Sequence, residues 1–188
     1  MAMNLLHRKC CSSDRWAAQV EEQMIPWALA GVELGDDVLE IGPGYGANLR
    51  VLAARVRRYT AVEIDPDMAA QLRHDFGSRA RIIHGDGTAT GLPAAAFSSV
   101  VCFTMLHHVP TAQLQDRLFA EALRVLRPGG VFAGSDAVPS LRLRLLHVRD
   151  TYNPVPPESL PERLRRAGFT EVRVGTGSGR QRWRATKP

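Results

Sequence analysis

Three glycines and one glutamate in the first third of the chain have the residue types and spacing of a nucleotide site. Gly42, Gly44 and Gly46 lie in the segment EIGPGYG, and Glu63 follows about 20 residues later, as in known nucleotide sites. Glycine places no Cβ between backbone and ligand, so a flat adenosine group can lie against the main chain. A carboxylate at Glu63 can accept hydrogen bonds from both hydroxyls of a ribose. These residues predict a site for an adenosine compound without a 2′-phosphate.

The elements that must position these residues can be read around them. Residues 38–53 predict a short apolar strand, the glycine loop and a helix, and residues 59–66 predict a second apolar strand that ends at Glu63. Taken singly, the glycines could make a tight turn and Glu63 could be a solvated acid. The order of strand, glycine loop, helix, strand and acid favours a nucleotide-binding βαβ unit.

The identity of the adenosine compound depends on the residues beside the glycines. Gly42, Gly44 and Ala47 also satisfy the relaxed pattern of dinucleotide sites, so the glycines alone leave a nicotinamide dinucleotide open. Glu40 stands just ahead of the loop, where a negative charge would repel a pyrophosphate and attract the ammonium and sulfonium of S-adenosylmethionine. The electrostatics favour the sulfonium compound.

Later segments continue the alternation of strands and helices. Residues 81–93 predict a third strand and a polar turn, in which Asp86 can accept a hydrogen bond from an adenine amino group and Gly87 permits close approach of the ring; a plain turn is an equally good interpretation. Residues 98–109 predict a buried fourth strand and a loop. A helix over residues 112–126, a break at Pro128-Gly129-Gly130 and a fifth strand follow.

These blocks together resemble the class I S-adenosylmethionine-dependent methyltransferases. The similar segments are EIGPGYG, AVEID, HGDGTATGLP, CFTMLHHV and LRVLRPGGVF, which lie within residues 36–135. The resemblance implies an S-adenosyl-L-methionine cofactor and a set of positions around it. The methionine and ribose end would be lined by Glu40, Gly42, Gly44 and Gly46, the ribose hydroxyls bound by Glu63, the adenine contacted by Ile64, Asp86 and Gly87, and the methionine moiety bordered by Thr104 and Met105.

The expected fold class is α/β, a Rossmann-like three-layer sandwich with a mostly parallel seven-stranded sheet and an antiparallel last strand. We expect one methyltransferase domain over residues 1–188, with an N-terminal helical cap (1–35), a cofactor-binding core (36–136) and a substrate-side insertion followed by a C-terminal helix and hairpin (137–188). The cap could fold over the cofactor mouth or pack on the sheet. The long insertion is of a kind that often borders binding sites.

Composition narrows the partners and the compartment. The chain has 188 residues, a formal net charge of +5 and 45% hydrophobic residues. Its arginines are scattered, and Arg180, Arg182 and Arg184 alternate along the predicted last strand as on a solvated face, so a small or lipid-like acceptor is favoured over nucleic acid. No secretory signal or membrane-length apolar run is visible, which predicts a cytoplasmic protein. Three cysteines, two of them adjacent at Cys10 and Cys11, match no zinc spacing, and no metal site is expected.

Methyl transfer needs alignment of the acceptor first and a base only when the acceptor must lose a proton. His107 and His108, at the mouth of the fourth strand, are the candidate catalytic bases, and Asp136 and His147 are weaker candidates on the same rim. Both of the first pair could instead shape the loop. The acceptor atom, whether oxygen, nitrogen or carbon, and the oligomeric state stay open.

Three alternative functions remain. The first half resembles the RNA adenine N6-dimethyltransferases that act on ribosomal RNA, but their Asn-Leu/Ile-Pro-Tyr/Phe loop after the fourth strand is absent, and Thr104-Met105-Leu106-His107 stands there instead. A NAD-binding oxidoreductase and a non-catalytic cofactor-binding module are the others.

Overall fold

The structure is a computed structural model that describes residues 12–148 and 150–188. The expectations about Cys10 and Cys11, and about the first eleven residues of the cap, lie outside the described residues. Cys102 is buried in a strand, as its apolar neighbours predicted.

Helices and strands alternate through most of the chain, because short runs of β-branched and apolar residues are separated by amphipathic or glycine-containing stretches. The strands are β1 Asp37–Ile41, β2 Arg58–Glu63, β3 Arg81–His84, β4 Phe97–Phe103, β5 Leu126–Ala137, β6 Thr170–Gly177 and β7 Arg180–Thr186. The helices are α1 Asp14–Gln19, α2 Ile25–Ala28, α3 Ala47–Leu52, α4 Pro66–Phe76, α5 Ala112–Val125, α6 Leu141–Leu146 and α7 Leu160–Arg166, with a π-helical turn Val20–Met24 between α1 and α2 and a 3₁₀ turn Leu106–His108 after β4.

The seven strands form one sheet in the order β3-β2-β1-β4-β5-β7-β6. Neighbours from β3 to β5 pair in parallel, whereas β7 is antiparallel to both β5 and β6. Ser178 and Gly179, both with positive φ, make the two-residue turn between β6 and β7, a conformation that suits the twist of a hairpin. The predicted fold class is confirmed.

Each face of the sheet has its own hydrophobic core. One core packs α5 and α7 against Leu39, Val100 and Phe132, and the other packs the cap, α3 and α4 against Val38 and Val101. Alternate residues of β1 therefore enter opposite cores, as the two-residue period of a strand requires. Burial on both faces explains why the strands read as unbroken apolar runs.

The break predicted at Pro128-Gly129-Gly130 lies inside β5. The helix ends at Val125, and Leu126 already pairs with Phe97 before the register shifts to Ser99 and Val131. Backbone hydrogen bonds join Gly129 and Gly130 to Lys187 near the end of the chain, at 2.8 and 2.9 Å. The segment thus starts the strand irregularly, because its peptide groups find partners on β7's side of the sheet.

The N-terminal cap, residues 14–31, packs on the sheet beside β7. The sequence analysis expected a solvated face for three arginines of β7, and this was wrong. Their side chains contact the cap instead: Arg180, Arg182 and Arg184. The Arg180 guanidinium lies 5.4 Å from the Trp16 ring centre and that of Arg182 lies 5.2 Å from Trp27, while Arg184 donates a 2.6 Å hydrogen bond to the Gly31 carbonyl. Stacking of guanidinium on indole therefore joins the first helices to the last strand.

No helix within the described residues combines the length and the apolar character needed to cross a bilayer.

Candidate functional site

A cavity of about 390 Å³ opens at the carboxyl end of the parallel strands. It lies where strand order reverses between β1 and β4, the position at which open α/β sheets bind ligands. Loops after β1 to β4 supply one part of its wall. The cap supplies Trp16, and the region around α6 supplies Leu143 and His147.

Glu63 lines the cavity at the end of β2 and is held by two backbone amides. The N–H of Gly44 donates to Oε2 at 3.1 Å and that of Asp65 donates to Oε1 at 3.0 Å. Only 4% of the residue is exposed, and this burial raises the pKa of its carboxyl above the ordinary value. A carboxylate has about four acceptor positions, so these amides leave room for a hydrogen bond from a bound ribose.

The three glycines of the loop have different surroundings. A Cβ on Gly42 would lie 2.3 Å from Cγ of Met105, whereas one on Gly44 would meet no atom within 4 Å. Both line the cavity, so Gly44 leaves space for a ligand and Gly42 permits contact with the loop after β4.

Gly46 differs from its expected placement, because it is absent from the cavity wall. A Cβ there would lie 2.8 Å from the ring of Phe76 and 2.9 Å from Leu72, both on α4. Its backbone adopts a positive φ of 77° at the start of α3. Gly46, which was predicted to contact the ligand, therefore allows α3 and α4 to pack closely.

Glu40 also differs from its expected placement. It is fully buried, does not line the cavity, and accepts a 2.9 Å hydrogen bond from the hydroxyl of Tyr59. Burial raises the pKa of its carboxyl to about 7, and hydrogen bonding from Tyr59 and Asn48 only partly opposes this. Its side chain enters the core beneath α3, since Leu39 and Ile41 take the opposite face of β1.

Ile64, Asp86 and Gly87 all line the cavity beside Glu63. Ile64 is 47% exposed although its side chain is large and apolar, as expected of a surface that a flat ring covers. Asp86 accepts a 2.8 Å hydrogen bond from the N–H of Thr88, so it also builds the predicted turn. A Cβ on Gly87 would lie 2.3 Å from Ile41, and this glycine is thus needed for packing within the wall itself.

Thr104 and Met105 follow β4 and line the cavity, with Met105 packed against Gly42 of the glycine loop. Thr104 has a φ of +50°, a conformation that costs a non-glycine residue about 1–3 kcal/mol. A 2.7 Å hydrogen bond from its N–H to the Ser135 carbonyl holds it in this conformation. The strained turn directs the chain from β4 into the 3₁₀ turn that contains both candidate histidines.

His107 and Asp136 form a buried pair in the cavity wall. The ring Nδ1 of His107 lies 2.5 Å from Oδ1 of Asp136, and the backbone N–H of His107 donates to Oδ2 at 3.0 Å. Burial raises the pKa of the Asp136 carboxyl, but the charge of His107 and hydrogen bonds from its ring and from Ala137 bring that pKa below its ordinary value. The ionised Asp136 carboxylate can only accept, so Nδ1 of His107 donates to it, and the neutral form of this ring has its lone pair on Nε2.

His108 and His147 stand beside this pair. The ring centre of His107 is 4.2 Å from that of His108 and 4.9 Å from that of His147. The sequence marked all four residues as candidates but gave no sign that His147, 39 residues after His108, would meet the others. Only the pairing of β5 with β4 and the position of α6 bring them together.

The cavity fits an adenosine sulfonium compound on three structural observations. Gly44 leaves open space next to the Glu63 carboxylate, and Ile64 presents bare apolar surface. Asn48, which the sequence analysis missed, lines the same wall, and its buried Oδ1 has no hydrogen-bond partner within the described residues. An ammonium group could satisfy that oxygen.

Comparison with known proteins identifies the central part of the chain. The family model described as "Methyltransferase domain" matches residues 39–134. That range contains the end of β1, β2 to β4, α3 to α5 and most of β5.

Two curated relatives differ in the acceptor that their names state. The chain is 31% identical over 169 residues to the erythromycin 3''-O-methyltransferase of Saccharopolyspora erythraea, a match over 77% of this chain and 54% of the relative. It is 36% identical over 113 residues to the ribosomal RNA small subunit methyltransferase A of Thermosynechococcus vestitus, over 57% of this chain and 41% of the relative. The chain thus spans about half the length of these relatives.

Among solved structures, a protein of Pyrococcus horikoshii OT3 superposes with a TM-score of 0.80 at 17% sequence identity. The superposition covers 95% of this chain and 94% of the other. Agreement at so low an identity concerns the fold alone.

Proposed function

The chain belongs to the S-adenosylmethionine-dependent methyltransferase family, and we propose that it transfers a methyl group to a hydroxyl oxygen of a small, largely apolar acceptor. The observation that carries this proposal is the buried His107–Asp136 pair, which lines the same cavity as Gly44 and Glu63. A hydroxyl must lose a proton when it is methylated. An imidazole whose Nε2 carries the lone pair suits that task.

S-adenosylmethionine supplies a methyl group on a positively charged sulfur, which leaves as a neutral thioether. Glu63 binds the ribose, while the backbone at Gly44 and the side chain of Ile64 fix the orientation of the nucleoside. Positioning of this kind can supply about 7–11 kcal/mol of the barrier. The main task of the chain is therefore to hold two molecules in line and exclude water.

The proton and electron balance assigns roles to His107 and Asp136. The acceptor oxygen forms a bond to the methyl carbon, the carbon–sulfur bond breaks with both electrons going to sulfur, and the hydroxyl proton passes to Nε2 of His107. The Asp136 carboxylate, 2.5 Å from Nδ1, stabilises the imidazolium that results. Asp136 also fixes the ring through the backbone N–H of His107.

The walls beyond the histidines favour a small apolar acceptor. Val109, Pro110, Leu114 and Leu118 line the cavity on that side. Most ligand sites combine such an apolar lining with a few polar groups that fix orientation. The name of the erythromycin relative, which states an oxygen acceptor, supports the same choice.

RNA is the second candidate acceptor, favoured by the relative named for ribosomal RNA. Several arginines that could bind phosphate are instead engaged within the chain. Arg163 contacts Asp116 at 2.8 Å and Arg124 contacts Glu121 at 2.7 Å, while Arg58 and Arg127 both bind Asp37. These internal partners reduce the positive surface that an RNA backbone requires. They support the small-molecule proposal over the RNA one.

The comparisons bear on two other functions, a NAD-dependent oxidoreductase and a non-catalytic cofactor-binding module. The family match supports S-adenosylmethionine as cofactor, which sets aside the NAD-dependent oxidoreductase. A non-catalytic module stays open to test, and a cytoplasmic location stays a prediction.

The test is an acceptor panel with release of S-adenosylhomocysteine as the first readout and product mass as the second. The panel contains apolar alcohols and phenols, matched amines, and a short adenine-containing single-stranded RNA. We expect turnover with hydroxyl compounds and a mass increase of one methyl group on oxygen. Turnover confined to RNA or to amines would overturn the proposal, and cofactor binding without turnover of any compound would favour the module.

A further inference from the structure

Three histidines converge on one point of the cavity wall. His107 and His108 belong to the 3₁₀ turn after β4, and His147 follows α6. One ring nitrogen from each lies within 4.8 Å of the others, and all three residues line the cavity. No cysteine or histidine spacing in the sequence indicated such a group.

Hydrogen bonds fix the protonation of two of the three rings. Nδ1 of His107 contacts the Asp136 carboxylate at 2.5 Å, and Nδ1 of His147 contacts the Leu143 carbonyl at 2.8 Å. Carboxylates and carbonyls only accept, so each Nδ1 donates, and a neutral ring at either position has its lone pair on Nε2. Histidines that bind metals have this arrangement, with the far nitrogen held by a carboxylate or a backbone carbonyl.

Burial and charge agree with a cation at this point. His107 and His147 are each 3% exposed, and Asp136, whose carboxyl contacts His107, is 1% exposed. The carboxylate would offset part of the charge of a dication through the His107 ring. Imidazole nitrogens select zinc, copper, nickel and cobalt over magnesium or calcium, which prefer oxygen ligands.

The distances require only a small closure of the rings. In a tetrahedral zinc site with Zn–N bonds near 2.0–2.1 Å, ligand nitrogens are roughly 3.4 Å apart. The present limit of 4.8 Å exceeds this by an amount that side-chain rotation can remove.

We propose that His107, His108 and His147 bind a divalent transition-metal ion of the zinc type, with Asp136 as a positioning residue and the fourth coordination position facing the cavity. Three histidines with an open fourth position form the arrangement of catalytic zinc sites. A cation bound to Nε2 of His107 would occupy the lone pair that takes the acceptor's proton in the metal-free protein, so metal binding and base catalysis are alternative states of this site. This inference rests on the side-chain geometry and does not depend on the proposed acceptor.

Metal binding can be measured without any acceptor, so its failure is distinguishable from failure of the proposed function. Tag-free protein is freed of metal with a chelator and titrated with Co²⁺, followed by visible absorption, and with Zn²⁺, followed by calorimetry. We expect one equivalent of Co²⁺ with the absorption of a four-coordinate nitrogen site, displaced by Zn²⁺. Absence of stoichiometric binding of both ions would overturn the proposal.

Variants separate this cluster from other ligands. His147→Ala should abolish the Co²⁺ absorption, and Asp136→Asn should lower the affinity about 10–100-fold while the absorption persists at high Co²⁺. His74→Ala is the matched control, because that side chain is 84% exposed and lies outside the cluster. His108→Ala gives a second ligand deletion should His147→Ala fail to fold.

The adjacent cysteines Cys10 and Cys11 are the alternative metal ligands that must be tested. Thiolates bind zinc, so the double variant Cys10→Ser, Cys11→Ser must keep the full equivalent if the histidines are the site. Loss of binding in that variant, together with its retention in His147→Ala, would refute the histidine site.

Discussion

At one end of the cavity, Gly44 in the loop after β1 is followed closely by α3 and by β2, which ends at Glu63, whereas His107, Asp136 and His147 at the other end come from three separate elements. The first end needs only β1, α3 and β2 to form. The second forms only when β5 pairs with β4 and α6 lies over the cavity. The cofactor end is thus a local unit and the histidine end a product of the whole sheet, so each should be open to change without the other.

His107→Gln should have the largest effect and should act at the histidine end alone. Loss of the base should reduce methyl transfer to a hydroxyl acceptor by about 10²–10⁴-fold, the usual contribution of general base catalysis. The dissociation constant for S-adenosylmethionine, measured by calorimetry, should not change. A parallel loss of cofactor affinity would show that the two ends are coupled.

A second test measures how the free energy of unfolding depends on pH through the buried Glu40 carboxyl. The native pKa of Glu40 is about 7 and its ordinary value 4.5, so the folded protein holds more protons than the unfolded one between these pH values. The free energy of unfolding should therefore fall as pH rises through that window, by about 3 kcal/mol from this group.

Glu40→Gln removes that titration and still offers an acceptor to Tyr59. Urea denaturation at pH 5 and pH 8 should show that the difference between wild type and variant grows in favour of the variant at pH 8. Equal differences at both pH values would mean that Glu40 does not titrate in this range.

Glu63→Gln removes the charge that would hold the ribose at the cofactor end. Each hydrogen bond to a charged group contributes about 1.5–3 kcal/mol, so affinity for S-adenosylmethionine should fall roughly 10–100-fold. Asp75→Asn is the control, since that carboxyl contacts Gln71 on the exposed side of α4 and does not line the cavity. Turnover at saturating cofactor should remain near that of wild type. A large fall in the maximal rate would mean that Glu63 also affects the histidine end of the cavity.

The smallest effect separates two glycines of one loop. Alanine at either position meets a positive φ, but only at Gly46 does its Cβ collide with Phe76 and Leu72. Gly46→Ala should therefore cost roughly 1–2 kcal/mol more stability than Gly44→Ala. Gly44→Ala should weaken cofactor binding more. Thermal unfolding and calorimetry on the two variants check both statements, and a reversed order would contradict the assigned roles.

The sequence predicted the parallel strands well, because β1, β2 and β4 are compact apolar runs and the glycine loop marks where α3 starts. It failed at Glu40 for a physical reason. Both faces of β1 are buried, so no alternation of polar and apolar residues shows which core the side chain enters.

Local sequence patterns could not predict that the histidines form a cluster. His107 and His108 were recognised as candidates by their place after β4, but their distance from Asp136 depends on the register between Phe103 and Ser135. Likewise Gly46 matched a ligand motif, although its contacts are with α4 residues some 26 to 30 positions away. Spacing predicts which residue types recur, while packing decides which of them face the ligand.

The contacts of the β7 arginines join the cavity wall to a strand that is synthesised late. Trp16 lies in the cavity wall and against Arg180, and Trp27 lies under Arg182. During synthesis these indoles emerge from the ribosome long before the strand that covers them. The cofactor loops can fold while the chain is still growing, but the mouth above them acquires its final shape only once the last strand has been made.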